Sequence, residues 1–182
     1  VQSCLGKGST FTVRLPCQID QNTNESVRLS GTKVLVVDDD RDACIYAVQM
    51  LEECGAIPDW TVSGYDAVAK VAEAKRQGVG YDVVILDWKM PEIDGEYTAR
   101  AIREAVGEEP TLLICSAYDW TEIEDRARVA GIKGFLQKPF FRSSLTLSLK
   151  NCLSGQNLMD NADKSQETTA FRGKRFLVVE DN

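Results

Sequence analysis

The sequence contains no histidine among its 182 residues. This absence excludes Ser-His-Asp and Cys-His catalysis within the chain, because both mechanisms use an imidazole as the general base. It also excludes a phosphohistidine on the chain itself. Any chemistry must therefore come from carboxylates, lysine, hydroxyl groups or a bound metal ion.

The sequence also has no CxxC pair, and its six cysteines are scattered along the chain. Without histidine to complete a ligand set, this spacing does not fit a zinc site. We interpret the cysteines as free thiols in a reducing cytosol, several of them buried, with a redox role as the alternative.

Three further features are missing: a signal peptide, a basic run, and an apolar run near the ~18 residues of a membrane span. The net charge is -7. We therefore expect no nucleic-acid surface and no direct membrane contact by this chain. The expected location is cytoplasmic, and a longer parent protein can still be membrane-anchored.

The middle of the chain alternates short apolar runs with amphipathic stretches. The apolar runs lack alternation, which is typical of strands buried on both faces. They lie at 34–37, 83–86, 112–115 and 134–137, with a weaker strand at 57–62. Helices are predicted at 41–54, 64–77, 94–106, after the capping-box spacing of Thr121 and Glu124, and at 143–149, where strand-like alternation competes. This order predicts an α/β fold with a parallel sheet.

Polar side chains follow the predicted strands at their carboxyl ends, where such sheets bind ligands. Asp38, Asp39 and Asp40 follow the first strand, and Asp87 follows the third. The fourth strand is followed by Ser116 and the fifth by Lys138.

This set of side chains fits phosphoryl transfer. Neighbouring carboxylates repel each other unless a cation joins them, and oxygen ligands suit Mg²⁺. A carboxylate such as Asp87 can be the nucleophile and form an aspartyl phosphate. Lys138 and the Ser116 hydroxyl can then neutralise and hold the phosphoryl oxygens.

Each of these residues also has an ordinary structural interpretation. The aspartates at 38–40 can cap a helix, and Asp87 can belong to a turn. Ser116 can be a loop hydroxyl and Lys138 a solvated surface residue. The functional interpretation depends on all of them occurring together at successive strand ends.

Four segments resemble the response-regulator receiver family of two-component phosphorelays, in the order and with the spacing of that family. They are Val-Leu-Val-Val-Asp-Asp-Asp at 34–40, Ile-Leu-Asp-Trp-Lys-Met-Pro-Glu-Ile-Asp-Gly at 85–95, Ile-Cys-Ser-Ala at 114–117 and Leu-Gln-Lys-Pro-Phe at 136–140. The resemblance implies a flavodoxin-like, doubly wound, five-stranded parallel sheet. Its strand order would be 2-1-3-4-5, with helices on both faces.

The resemblance also implies roles for individual residues. Asp87 would be the phospho-acceptor. Asp38, Asp39, Asp87 and the backbone carbonyl of Lys89 would bind Mg²⁺, one of the aspartates through water. Lys89 and Tyr118 occupy positions whose side chains influence dephosphorylation in this family.

The family's switch implies a further set of roles. Ser116 and Lys138 would hold the phosphoryl group, and Lys138-Pro139 would be a cis peptide bond. Phe135 occupies the position of the switch aromatic. Phosphorylation would draw Ser116 toward the acceptor and turn Phe135 inward, which reshapes the face of the fourth helix, fifth strand and fifth helix.

The two ends of the chain resemble parts of other domains. Residues 6–16 resemble the last glycine box and final strand of a histidine-kinase ATP-binding domain, and Phe11, Val13 and Leu15 alternate as in a strand. Residues 174–182 repeat the start of the receiver, with Glu180 and Asp181 as its acidic pair.

These likenesses predict a hybrid sensor histidine kinase with tandem receivers. The expected layout is a kinase remnant at 1–17, a linker at 18–31, the receiver at 32–153, a linker at 154–173 and a truncated second receiver at 174–182. Without a kinase core, the chain would catalyse only its own phosphorylation and dephosphorylation. Its partner would be a phosphohistidine donor, either a kinase dimerisation domain or a histidine phosphotransfer protein.

Three alternatives remain open at this stage. A phosphatase of the haloacid dehalogenase kind needs a second aspartate two positions after the nucleophile, where this chain has Lys89. A flavin- or nucleotide-binding module needs phosphate-binding donors after the first strand, where this chain has aspartates. A receiver that serves only as a docking surface would never be phosphorylated.

Overall fold

The computed structural model of the protein describes residues 1–4, 6, 8–14, 29–117, 123–139 and 141–154. The strands in this part of the chain are β1 (Gln2–Cys4), β2 (Gly8–Thr10), β3 (Lys33–Val37), β4 (Ile57–Thr61), β5 (Val83–Asp87), β6 (Thr111–Ser116) and β7 (Gly134–Gln137). The helices are α1 (Arg41–Glu53), α2 (Gly64–Arg76), α3 (Gly95–Val106), α4 (Glu124–Val129) and α5 (Arg142–Leu153). The strands and helices predicted for the middle of the chain are confirmed, and the ambiguous segment at 143–149 is helical.

Strands β3 to β7 form one parallel sheet in the order β4-β3-β5-β6-β7. Counted within this sheet alone, the order is 2-1-3-4-5, which confirms the predicted flavodoxin-like fold. The strand order reverses between β3 and β5, and ligands bind beyond the carboxyl ends at such a switch point. The register pairs Val37 with Leu86. Asp38 and Asp87, the next residue after each of these two, therefore lie side by side at the switch point.

The sheet buries both faces, as its continuous apolar strands predict. Alternate residues of β5 point to opposite sides, so that Leu86 packs in the layer under α2, α3 and α4, while Ile85 packs in the layer under α1 and α5. The second layer extends to Leu29, which is buried although it lies in the predicted linker at 18–31. The boundary at residue 32 stays a prediction.

Aspartate and serine side chains begin three of the helices that rise from the strand ends. Asp40 caps α1 by accepting from the amides of Asp42 and Ala43, Ser63 caps α2, and Asp94 caps α3. Such caps satisfy amides that have no partner within the helix. Helix α4 begins after Ile123 without a side-chain cap, and Thr121 of the predicted capping box lies outside the described residues.

The free edge of the sheet at β4 is blocked against further strand pairing. Alternate residues of an edge strand direct their backbone groups outward, and here these are Pro58 and Trp60. Pro58 has no amide hydrogen, and the Trp60 amide donates to Asp59 Oδ1 at 2.8 Å. Asp59 Oδ2 also accepts from Lys70 and Tyr81. This arrangement leaves little for an added strand to bind.

The first residues form a separate antiparallel pair, in which β1 pairs with β2 and Gln2 lies opposite Thr10. The strand expected from the alternation at 11–15 was wrong over 11–14, which have no strand structure and expose Phe11 and Val13. The pairing of β1 with β2 ends at Gln2 and Thr10. The predicted linker at 154–173 lies outside the described residues except for Ser154, and the segment at 174–182 lies outside them entirely.

Two expectations from composition can be compared with the described residues. Cys44, Cys54, Cys115 and Cys152 are free and buried, which agrees with the interpretation of these four as free thiols, and Cys4 is exposed. Cys17 lies outside the described part. None of the described helices is long and apolar enough to cross a membrane.

Arg103 of α3 holds together the loops that enter β6 and β7. Its Nη1 donates to the carbonyls of Gly107, Glu108 and Pro110, and its Nη2 donates to the carbonyl of Gly131 at 2.8 Å. Among the described residues, its Nε is the buried side-chain nitrogen or oxygen that lacks a hydrogen-bond partner. The fork of a guanidinium is needed to reach two loops at once.

We expect Arg103→Lys to lower the free energy of unfolding by about 1–3 kcal/mol, because an ammonium cannot satisfy both loops and leaves carbonyls unpaired. Urea denaturation of the full chain measures this. The matched control is Arg100→Lys on the same helix, whose exposed arginine pairs with Glu96 at 2.8 Å. An equal loss of stability in both variants would contradict the role of Arg103.

Candidate phosphoryl-acceptor site

Three carboxylates meet at the switch point of the sheet. Asp38 and Asp39 follow β3, and Asp87 ends β5, so that their carboxylate oxygens lie within 4.8 Å of one another. Asp38 and Asp87 are buried, and Asp39 is exposed. Asp40 is not part of this cluster, because its side chain caps α1. The capping interpretation is thus correct for the third aspartate and wrong for the first two.

Lys138 supplies the positive charge that this cluster needs. Its Nζ lies 2.6 Å from Asp38 Oδ2 and 3.0 Å from Asp87 Oδ1. The lysine follows β7 and reaches across β6, and its backbone amide donates to the Ser116 carbonyl at 2.8 Å. The Lys138-Pro139 peptide bond is cis, as the resemblance implied. Lys138 therefore lies inside the site, which rules out the solvated-surface interpretation.

Burial and charge act in opposite directions on this pair. Burial raises the pKa of Asp87, and the hydrogen bond and charge of Lys138 offset only part of that effect. Burial opposes the charge of Lys138, but hydrogen bonds to Asp38 and Asp87 outweigh it and raise the lysine pKa. The lysine is therefore charged at neutral pH, while burial makes the ionised form of Asp87 less favourable than it is in water.

Ser116 and Phe135 lie on one face of the sheet beside the acceptor. Ser116 is 1% exposed and ends β6, one position beyond Cys115, which pairs with Asp87. Phe135 pairs with Ile114, two residues before Ser116. It is half-buried against the apolar layer under α3 and α4. The predicted hydroxyl and the predicted switch aromatic thus share this layer, and Tyr118 lies outside the described residues.

The turn after Asp87 is held closely against the start of α3. The Trp88 amide donates to the Cys115 carbonyl, and the Gly95 amide donates to the Trp88 carbonyl, both at 3.0 Å. A Cβ on Gly95 would lie 2.4 Å from the Asp87 carbonyl oxygen, so only glycine fits there. Glu92 in the same turn has a φ of 67°, which is uncommon outside glycine, asparagine and aspartate.

Sequence reasoning missed an arginine that contacts this turn from α4. Arg126 lies over the Trp88 ring, 5.2 Å from its centroid. Its Nη2 is 2.5 Å from Glu96 Oε2 of α3 and 4.0 Å from Asp94 Oδ2. No periodic pattern connects positions 96 and 126, and they meet only because α3 and α4 cover the same face of the sheet.

Two cysteines are close enough to the site to be considered as nucleophiles. The Cys44 thiol donates to the Asp38 carbonyl at 3.3 Å, and Cys115 pairs with Asp87 in the sheet. Burial raises the pKa of Cys44 to about 11 and that of Cys115 to about 12. Both are therefore neutral thiols at physiological pH, and a neutral thiol is a poor nucleophile.

The donor set fits Mg²⁺ better than a softer metal. The three clustered ligands are all carboxylates, and Mg²⁺ takes oxygen ligands while keeping several waters. Asp39 is exposed, so the cluster opens to solvent on one side. Asp38 Oδ1 already accepts from the Asp40 amide at 3.0 Å, and Oδ2 accepts from Lys138. These bonds suit a carboxylate that would contact an ion through water.

Comparison with known proteins agrees with this geometry. The Response regulator receiver domain family matches residues 34–150. Hybrid signal transduction histidine kinase L of Dictyostelium discoideum is 32% identical over 72% of this chain and 8% of its own length. Osmosensing histidine protein kinase SLN1 of Saccharomyces cerevisiae is 28% identical over 84% of this chain and 12% of its own length. The chain thus spans a small part of these relatives.

A solved structure shares both the fold and part of the sequence. The receiver domain of the histidine kinase CKI1 from Arabidopsis thaliana, complexed with Mg²⁺ and BeF₃⁻, superposes with a TM-score of 0.60. The two sequences are 27% identical over 69% of this chain and 92% of that one. With the family match covering residues 34–150, the chain belongs to the response regulator receiver domain family.

Proposed function

We propose that this domain is a Mg²⁺-dependent phosphoryl acceptor, in which Asp87 receives a phosphoryl group from a phosphohistidine on a partner. The observation that carries the proposal is the position of Lys138 Nζ between Asp38 and Asp87, beside a third carboxylate on Asp39. The chain has no histidine, so the donor must be another domain or another protein.

The transfer would form one bond and break one. An Asp87 carboxylate oxygen attacks phosphorus, a P–O bond forms, and the P–N bond of the donor breaks. The departing imidazole keeps the electron pair of that bond and takes a proton. Burial favours this attack because a carboxylate with poorly compensated charge gains more from bonding to phosphorus than a solvated one.

The surrounding residues would position and neutralise the phosphoryl oxygens. The ammonium of Lys138 would move from bridging two carboxylates to contacting a phosphoryl oxygen. The buried Ser116 hydroxyl would donate to another. Asp38, Asp39, Asp87 and the Lys89 carbonyl would hold Mg²⁺, which would neutralise charge on the transferring group.

The switch would run from Ser116 to Phe135. Drawing the Ser116 side chain toward the acceptor leaves room beside the layer that Phe135 contacts, and the ring would turn into that room. The surface that changes would be formed by α4, β7 and α5. The influence of Lys89 and Tyr118 on dephosphorylation belongs to the same proposal.

We also propose that the domain belongs to a hybrid sensor histidine kinase. Two relatives are histidine kinases in which a segment like this chain is a small part. They support a hybrid sensor kinase as the parent. The layout 1–17, 18–31, 32–153, 154–173 and 174–182 remains part of the proposal. In that setting the domain would lie in the cytoplasm and exchange phosphate with a kinase dimerisation domain or a histidine phosphotransfer protein.

The first prediction concerns the acceptor. We expect beryllofluoride, added after Mg²⁺, to produce a saturable change in tryptophan fluorescence, because Trp88 directly follows Asp87. Asp87→Asn should abolish the change, since the amide cannot bind beryllium as a carboxylate does. Acetyl phosphate should add one phosphoryl group to the full chain by intact mass, and only when Asp87 is present.

Asp66→Asn is the matched control, because this exposed carboxylate in the first turn of α2 lies outside the site. It should behave as the wild type in both measurements. A wild-type chain that neither responds to beryllofluoride nor gains a phosphoryl group would exclude the acceptor role. The domain would then act as a docking surface.

The second prediction concerns Lys138. Lys138→Met should raise the affinity for Mg²⁺ about tenfold or more, because removing the internal cation leaves the carboxylates uncompensated. The same variant should slow phosphorylation by acetyl phosphate about 100-fold, since a donor to the phosphoryl group is lost. A fluorescence titration with Mg²⁺ and time-resolved intact mass measure the two effects.

Lys133→Met removes the same charge from an exposed position on the approach to β7 and serves as the control. It should leave both values near those of the wild type. If Lys138→Met bound Mg²⁺ more weakly than the wild type, Lys138 would not compete with the ion for these carboxylates.

A further inference from the structure

Helix α4 is attached to the rest of the domain by very little apolar contact. It has six residues, of which only Ala127 is buried. Apolar burial is the main source of stability for a surface helix. Ile123, Ala130 and Ile132 flank the helix and are buried in the same layer. Within 124–129, however, the connection to α3 depends mainly on polar contacts.

Two arginines connect α4 to α3, one near each end of the short helix. At the carboxyl end, Arg103 of α3 donates to the carbonyl of Gly131, which follows α4. Nearer the acceptor, Arg126 of α4 pairs with Glu96 in the first turn of α3. The two connections differ in what they bind, because Arg103 binds backbone carbonyls and Arg126 binds a side chain.

The Arg126 connection is the one that can open. The Arg126 side chain is 58% exposed, so water can replace its partner at small cost. Glu96 is only 14% exposed, and it also accepts from Arg100 of its own helix. Glu96 is therefore held in place on α3, and release of Arg126 would free α4 and leave α3 unchanged.

The same arginine contacts the residue next to the acceptor. Its guanidinium lies over the ring of Trp88, which is 5% exposed and belongs to the apolar layer against which Phe135 packs. Trp88 is bonded covalently to Asp87, and its amide and carbonyl are fixed by Cys115 and Gly95. A change at Asp87 or in the packing of this layer must therefore alter the surface that Arg126 covers.

We propose that Arg126 is a positioning residue, which latches α4 to α3 through Glu96 and Trp88 in the unphosphorylated domain and so opposes phosphorylation of Asp87. The proposal rests on the acceptor role of Asp87. A ligand that binds better when α4 is released must first break the contacts of Arg126 with Glu96 and Trp88. The free energy of these contacts therefore lowers the apparent affinity of that ligand.

The test measures ligand affinity and local opening in the full chain. Arg126→Ala should raise the affinity for beryllofluoride, in saturating Mg²⁺, about three- to tenfold, because a half-exposed ion pair with a ring contact is of modest strength. Glu96→Gln should act in the same direction, and the double variant should add little to Arg126→Ala. Hydrogen exchange of the amides at 124–130 should be faster in Arg126→Ala before any ligand is added.

Arg128→Ala is the matched control on the same helix, since Arg128 pairs at 2.6 Å with Glu124 of α4 itself. It removes the same charge and the same side chain from α4 but leaves the connection to α3 intact. Its beryllofluoride affinity should stay near that of the wild type. A purely structural loss would lower stability in urea without tightening ligand binding.

Unchanged or weaker beryllofluoride binding by Arg126→Ala would overturn the latch. A wild-type chain that does not respond to beryllofluoride would instead overturn the acceptor role. Hydrogen exchange would then show whether Arg126 still attaches α4 to α3. Faster exchange in Arg126→Ala alone would show an attachment of α4 without a role in phosphorylation. Unchanged hydrogen exchange in Arg126→Ala would also contradict the attachment of α4 by Arg126.

Discussion

The crowding of negative charge at the switch point is the constraint on which the rest of this structure depends. Parallel pairing in the register of Val37 with Leu86 brings Asp38 and Asp87 side by side in a buried position. Such a pair is stable only with a cation between its members. Lys138 provides that cation. It follows β7, two strands away from Asp87, and its side chain extends past the end of β6, whose last residue is the small Ser116. The strand order brings the carboxylates together, the small Ser116 leaves room for the lysine, and Lys138 offsets the repulsion between Asp38 and Asp87.

A rigid acceptor beside a weakly attached helix is the second feature of this architecture. The turn after Asp87 leaves no room for a side chain at Gly95, and Trp88 is fixed through both of its backbone groups. Helix α4 covers the same layer with one buried residue and a half-exposed arginine. A tightly packed turn transmits small displacements to its neighbours, and a weakly attached helix such as α4 moves most in response. The difference between the two arginines, one bound to several backbone carbonyls and one to an exposed ion pair, favours movement at the acceptor end of α4.

The sequence predicted most of the fold and of the site because both depend on local patterns. Unbroken apolar runs reveal buried parallel strands, and the topology then brings Asp38, Asp87 and Lys138 to one edge. Composition and spacing alone did not separate Asp40 from its two neighbours, because capping and ion binding use the same side chain. The family resemblance left Asp40 out of the ion site, and the structure shows that Asp40 caps α1. It also could not predict the contact between Glu96 and Arg126, which depends on how two helices lie across a sheet. The alternation after residue 10 suggested a strand, but alternation does not specify a pairing partner, and β2 pairs only over Gly8–Thr10.

The pKa directions at the acceptor connect stability to ligand binding. The raised pKa of Asp87 means that its ionised form disfavours folding, so stability falls as pH rises above the value of 3.8 for the unfolded chain. The raised pKa of Lys138 works oppositely, since its contribution is present below the unfolded value of 10.5 and is lost as pH rises through the higher folded value. At neutral pH the domain therefore holds a costly carboxylate that a single lysine only partly compensates. A cation that adds to this compensation and binds the folded state alone stabilises that state by mass action. Under the proposed acceptor role, the same incomplete compensation would link occupation of the site to the stability of the folded domain.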